Sequence, residues 1–250
     1  MLGVDEVLAA SLVRLGAKPP DDASQAAKKR YSERVSEAVA LVFAQELRER
    51  GMRGTRPLRA GGVDGSGAER RMAGGIGAKK VDVTWATEES GLLLGISIKS
   101  INFRDPRTGN FQKNLTNRRG DMLMEAVTLH RRFPYAVLAG FFFLDAGAET
   151  DSTQNRDGSA RRRSTFLNAH ARMKLFTGRD DPAGRDEQYE RMYVLLLDAA
   201  PGQVAVRATE VGRPDVPVPL AAIFDTLVTL VAERNPDFYE AMEGSIVPAS

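Results

Sequence analysis

The stretch Lys80–Lys99, KVDVTWATEESGLLLGISIK, constrains this chain more than any other. Val81-Asp82-Val83-Thr84-Trp85 alternates and is rich in β-formers, and Leu92–Ile98 does the same on the return, so a hairpin is predicted. Glu88-Glu89-Ser90-Gly91 supplies the turn, since Gly91 accepts a positive φ without steric cost. A loop of those four residues sets Asp82 opposite Ser97. Side chains alternate along a strand, so Lys99 joins Asp82 and Ser97 on one face. Val81, Val83, Ile96 and Ile98 then point to the other face, which reads as core. A slip of one residue would turn Ser97 and Lys99 away from Asp82. A carboxylate, a hydroxyl and an ammonium gathered on an otherwise apolar hairpin need a reason.

The flanking sequence supplies the layers around it. Ser100–Leu115 is a polar loop holding Arg104, Asp105, Arg107 and Lys113. A helix is predicted over 117–132, capped by Thr116 or Asn117. Met122, Ala126 and Leu129 form its apolar face, while Asp121 and Glu125 share another. Phe133-Pro134 stops it, and Ala136–Leu144 (AVLAGFFFL) reads as a strand buried on both faces. Strand, helix, buried strand implies a right-handed crossover between parallel strands.

Upstream, 4–15 reads as a short helix ended by Gly16 and Pro19-Pro20. A longer helix over 22–50 carries the stripe Val35, Val39, Val42, Phe43 and Leu47. Glu33 and Glu37, one turn apart on it, are a solvated face or lean toward the hairpin as outer metal ligands. Residues 51–79 are rich in Gly and Arg. Gly74-Gly75-Ile76-Gly77 lacks the strand–loop–helix context of a phosphate-binding loop, so this segment reads as loop with a short strand near Arg70–Ile76. Arg53, Arg56, Arg59, Arg70 and Arg71 are available to a phosphate backbone. So is Arg161-Arg162-Arg163, in a polar stretch that otherwise reads as a solvated loop. Helices over 165–176 and 220–234 and strands at 193–197 and 204–209 complete the pattern.

With 250 residues and no internal repeat or composition break, one α/β domain is expected, a mixed central sheet flanked by helices. Its core would span 22–145, with a sheet and helix extension over 165–243. No apolar run approaches the ~20 residues of a membrane helix, and the N-terminus lacks the basic region of a signal peptide, so a cytoplasmic protein is expected. Cysteine is absent and there are two histidines, His130 and His170, which excludes thiol catalysis and histidine- or cysteine-based metal sites. Any metal must be held by oxygen, which favours Mg²⁺, Mn²⁺ or Ca²⁺. The net charge of +2 does not announce a nucleic-acid partner; the basic residues are unevenly placed and most are Arg, the side chain suited to phosphate and base-edge contacts. No role in catalysis is expected of His130, and His170 has no visible partner.

Asp82, Ser97, Lys99 and a carboxylate on the next helix are the equipment for metal-assisted phosphodiester hydrolysis. Carboxylates hold a hard cation, and the lysine orients water and offsets charge on the phosphate. At these residues the chain resembles the PD-(D/E)xK nuclease superfamily, whose pattern is an Asp, a gap, then Asp/Glu-x-Lys on the adjacent strand. Lys80-Val81-Asp82 stands where Pro-Asp is usual, and Ser97 replaces the second acid.

In the order of its strand, Arg/Asp-rich loop, Glu-bearing helix and buried strand, ISIKSINFRDPR…NRRGDMLMEAVTLHRRFPYAVL is similar to the type II restriction endonucleases that cut sites with a CCGG core. Those enzymes carry Ser-x-Lys and take the missing Glu from the following helix. The resemblance implies a restriction-endonuclease-like core in which Asp82, Ser97, Lys99 and Glu125 are catalytic. Metal ligands would be Asp82, Glu125 and the main-chain carbonyl of Ile98. Because the Lys-to-Glu gap is longer here, Asp121, one turn earlier, stands as the alternate, and Glu37 as an outer ligand. Arg104, Asp105, Arg107, Lys113, Arg118 and Arg119 would contact DNA, Arg to guanine and Asp to cytosine. It further implies Mg²⁺, with Mn²⁺ as substitute, double-stranded DNA, 5′-phosphate products, a homodimer and a cognate DNA methyltransferase. Three readings stand beside it. They are a low-specificity repair or mobile-element nuclease, a degenerate DNA-binding module, and an α/β protein that does not meet DNA.

Overall fold

The structure is a computed structural model that describes residues 2–58, 70–73, 78–151, 157–159, 163–200 and 202–249. Arg59, the Gly74–Gly77 run and Arg161-Arg162 lie outside the described residues. It is an α/β fold around a mixed five-stranded sheet of order β3-β4-β5-β6-β7: β3 Val83–Thr87, β4 Gly91–Ile101, β5 Val137–Asp145, β6 Arg191–Ala200 and β7 Gln203–Glu210. β4, β5 and β6 run parallel, and β3 and β7 are antiparallel edges.

β5 alternates between two cores, as an apolar run with no polar face must. Val137, Ala139, Phe141 and Phe143 pack beneath α1 (Val4–Val13), α2 (Gln25–Glu49) and α5 (Leu220–Arg234). Leu138, Phe142 and Leu144 pack beneath α3 (Leu115–His130) and α4 (Thr165–Met173). The predicted stripe of α2 is buried throughout, and its Phe43 meets Phe141 edge-on at 4.8 Å and Phe224 at 5.2 Å. Ser24 starts this helix, its side chain accepting from Ala27 N–H at 3.2 Å.

The hairpin differs from expectation in two linked ways. The turn is Glu88–Ser90, and Gly91, with φ of 69°, already pairs with Thr87. A register shift between Trp85 and Ala86 then restores the expected alignment, with Val83 opposite Ile96. The predicted strand also breaks at Asp82. Before it, β2 (Ala78–Val81) pairs with β1 (Arg70–Ala73) in a separate ribbon, so Val81 packs with the α3-side core rather than beside Val83.

Elsewhere, α3 starts earlier than predicted, after a 3-10 turn at Gln112–Asn114. Neither Thr116 nor Asn117 caps it; Asn114 holds that place without a side-chain bond. A terminal hairpin, β8 (Tyr239–Met242) with β9 (Ser245–Pro248), carries no apolar alternation strong enough to have been predicted. No helix among the described residues is long and apolar enough to cross a membrane.

His170, which had no visible partner in sequence, is buried on α4 with two. Its Nδ1 accepts from Gly212 N–H at 3.2 Å, which leaves the proton on Nε2, 3.2 Å from Thr209 Oγ1. Burial lowers its pKa to about 4, against a smaller opposing effect of Asp215. The folded state thus resists a proton that the unfolded chain takes up near pH 6.5. Stability contributed above pH 6.5 should be lost as pH falls toward 4, by about 3 kcal/mol in all. Denaturant titrations at several pH values should show that slope in the native protein and a flatter one in His170→Asn.

Candidate active site

The residues singled out in the hairpin meet near the C-terminal end of β4, where parallel strands commonly present their ligand sites. β3 leaves the ladder at Asp82, and the carboxylate takes over a main-chain donor. Ile98 N–H donates to Asp82 Oδ2 at 2.5 Å. Asp82 is thereby moored to the strand that carries Ser97 and Lys99. From the layer above, α3 brings Glu125. Lys99 Nζ lies 3.5 Å from Glu125 Oε2 and 3.8 Å from Asp82 Oδ2.

Burial separates the two helix carboxylates. Glu125 has a side chain only 6% exposed and faces Lys99. Asp121 is 61% exposed and pairs outward with Arg118 at 3.9 Å. Burial raises the pKa of Glu125, with Asp82 adding to the rise and Lys99 and the Ser97 hydroxyl opposing it. Lys99 is pulled both ways: burial disfavours its charge, but Glu125 and Asp82 together outweigh that and raise its pKa. With both carboxylates ionised, two carboxylates and one ammonium leave this buried cluster one positive charge short of neutrality.

The cluster opens into a cleft of about 820 Å³ between α2, the end of β4 and the loop that follows. Lys28, Lys29, Glu33 and Glu37 line it from α2, and Lys80 comes from the β1–β2 ribbon. Arg104, Asp105, Lys113 and Arg118 line the opposite wall. Glu33 is exposed and pairs with Lys29 at 3.8 Å, while Glu37 is exposed on the cleft wall. Arg107 and Arg119 are not among the cleft-lining residues. Arg107 is exposed, and the Arg119 guanidinium sits over the Phe176 ring at 5.6 Å.

Asp105 is engaged within its own loop. Its Oδ1 accepts from the N–H groups of Arg107 at 3.0 Å and Thr108 at 3.1 Å, and its Oδ2 meets Lys113 Nζ at 2.8 Å. These bonds, Lys113 foremost, lower its pKa to about 2. Asp105 therefore folds the loop that presents Arg104, whose guanidinium bonds Gly109 O at 3.0 Å and stacks on Phe111 at 4.9 Å.

Sequence reasoning passed over Ser100 and Asn102, which extend the cleft floor beyond Lys99; Asn102 Nδ2 reaches Ser32 and Ser100, each at 3.2 Å. Their signal was visible, two polar residues closing a strand whose alternate positions Ile96 and Ile98 are core. Tyr189 was also passed over. Its hydroxyl donates to Met122 O on α3, and nothing in its sequence surroundings marks it. His130 is buried away from this site, Nδ1 bonded to Asp186 O at 3.0 Å and Nε2 3.3 Å from Glu190.

Among the described residues no group of three acidic or histidine side chains comes together. A cation here would be held by Asp82, Glu125 and a main-chain carbonyl such as that of Ile98. Such a hard-oxygen set, with spare negative charge, fits a Mg²⁺ that keeps several of its waters. No family model, no curated protein and no solved structure matches the chain.

The loop tie can be tested alone. In Asp105→Ala the amides of Arg107 and Thr108 lose their acceptor, and their hydrogen exchange should accelerate by about tenfold or more. Since Asp105 has its pKa lowered from 3.8 to about 2, the tie should hold above pH 3.8 and fail as pH falls through 2.

Proposed function

We propose that this chain is a Mg²⁺-dependent endodeoxyribonuclease that hydrolyses phosphodiester bonds of double-stranded DNA, leaving 5′-phosphates. The reading follows the resemblance to PD-(D/E)xK nucleases of the type II restriction kind. One observation carries it. Asp82 from the hairpin and Glu125 from the next helix converge on Lys99, which lines a cleft together with cationic groups from α2, β2, α3 and the loop after β4.

When bound, the metal would supply Lewis acidity at the phosphate and a water of lowered pKa. Asp82 and Glu125 would hold it. Lys99, charged and fixed between them, would orient the attacking water and offset charge that develops on the phosphate. Ser97 fills the place of the missing acid with a small hydroxyl, so the second carboxylate reaches the site from α3 instead. Lys28, Lys29, Lys80, Arg104, Lys113 and Arg118 would track the phosphate backbone in a salt-dependent way. Two cuts in a duplex need two such sites, so a homodimer belongs to this proposal, and a cognate methyltransferase would accompany a site-specific enzyme.

A second reading, a nuclease of the same kind with little sequence preference, is favoured by Asp105. That carboxylate is buried and already engaged by donors of its own loop, Arg107 and Thr108 at Oδ1 and Lys113 at Oδ2. Incubation of supercoiled plasmid with the protein in Mg²⁺ and in EDTA tests both. Cleavage should require the metal and fall at least a hundredfold in Asp82→Ala and Lys99→Ala. Discrete bands would support a specific site and a smear the second reading. Cleavage unchanged in both variants would refute the assignment, and retarded DNA without cleavage would leave a binding module.

A further inference from the structure

The loop after β4 is closed by bonds of its own. Asp105 N–H donates to Asn110 O and Gly109 N–H to Asp105 O, each at 2.8 Å, and the Asp105 carboxylate takes the amides of Arg107 and Thr108. Those bonds fix the shape of the loop. Its direction is set at its two ends, by acids that lie elsewhere in the chain. At the far end Phe111 N–H donates to Asp151 Oδ2 at 3.0 Å. At the near end Asp21, in the connector 14–24 between α1 and α2, accepts from Arg104 N–H through Oδ1 at 3.2 Å. Its Oδ2 lies 3.9 Å from Arg104 Nε.

Asp21 is itself tied to the sheet. Lys18 Nζ lies 2.5 Å from Asp145 Oδ2 at the end of β5 and 3.9 Å from Asp21 Oδ1. The same ammonium sits 5.3 Å from the centre of the Phe103 ring and 6.0 Å from that of Phe111. The Asp21 carbonyl accepts from Lys28 Nζ at 2.9 Å. With its main chain held in this way, Arg104 sends its guanidinium along Phe111, at 4.9 Å, to bond Gly109 O at 3.0 Å. Gly147 leaves the space it needs, since a Cβ there would lie 2.7 Å from Arg104 Nη2. Arg104 lines the cleft and Asp21 is not among the residues that do. The acid therefore reaches the cleft only through the arginine.

We propose that Asp21 is a positioning residue for Arg104, holding its main chain so that the guanidinium meets a backbone phosphate of double-stranded DNA in the cleft. The inference rests on the reading of this cleft as a DNA site. Its consequence runs against simple electrostatics. An acid near a polyanion site weakens binding, so loss of the charge alone should help. Loss of the acceptor should hurt, because Arg104 then loses its direction.

Titration of a fluorescein-labelled DNA duplex in EDTA, followed by anisotropy over a range of KCl concentrations, separates the two effects. Arg104→Ala should weaken binding by about tenfold and flatten the dependence of log K on log salt by about 0.9. Asp21→Ala removes charge and acceptor together; it should weaken binding by about fivefold and flatten the salt dependence as well. Asp21→Asn removes the same charge but keeps an oxygen for the Arg104 N–H, and should bind at least as tightly as the wild type. With Arg104→Ala already in place, Asp21→Ala should weaken binding no further, since the residue it acts through is gone. Asp21→Ala binding as tightly as the wild type or as Asp21→Asn, or a full further loss in the double variant, would overturn the proposal. Should Asp21→Ala fold poorly, Asp21→Asn decides alone, affinity below the wild type there being contrary. If the wild type leaves the duplex free, or Arg104→Ala keeps both affinity and salt dependence, the DNA reading of this wall fails and the proposal with it. If Arg104→Ala weakens binding while Asp21→Ala does not, only the proposal fails.

Discussion

The contact on which the site depends is the Lys99 ammonium lying between two carboxylates from different layers of the fold. Asp82 has the Ile98 N–H as a second anchor, but Glu125 relies on Lys99 more heavily. Glu125 is almost fully buried, and an unpaired charge there would be costly. Lys99 offsets that cost, and the same charge balance defines what the cluster can accept. In the proposed function, two acids and one base would leave room for a cation, and the hard oxygens would select its kind. The attraction between Lys99 and its partners also ties α3 to β4, so the charge cluster doubles as a joint between helix and sheet.

That joint works because of how the sheet is built. β5, apolar on both faces, forces helices onto both sides and places α3 over the end of β4. The break at Asp82 is the second requirement. A continuous strand would have paired Ile98 N–H with a backbone carbonyl, whereas the bend gives that donor to the Asp82 side chain. The carboxylate is thereby aimed by a main-chain bond rather than by packing. Beyond β4, the loop tied by Asp105 and the wall of α2 enclose a cleft whose charged groups are carried on several separate elements.

Much of this was legible in the sequence, for identifiable reasons. The buried strand, the α2 stripe and the alignment of Val83 with Ile96 follow from periodicity, which burial on both sides of a sheet enforces. Glu125 could be named beside Asp121, but choosing between them needed the rotation of α3, which places one carboxylate in the core and the other in solvent. The bend at Asp82 was not legible, because Val81-Asp82-Val83 alternates as well as any strand; what breaks it is the competing pairing of β2 with β1. Asp105 looked like a base-reading group because its loop is rich in Arg and Asp. Its loop contacts depend on a local turn that composition does not encode. Tyr189 was invisible for a simpler reason, since its partner carbonyl is distant in sequence.

The central claim is that Asp82 and Glu125 form one cation site beside Lys99. Anomalous diffraction from crystals soaked in Mn²⁺ tests it most directly. The account predicts a peak bridging the two carboxylates, about 2.1 Å from an oxygen of each, and no such peak in crystals of Glu125→Gln. A peak bound only by Glu33 and Glu37 on α2, or none at saturating Mn²⁺ with both carboxylates ionised, would contradict it.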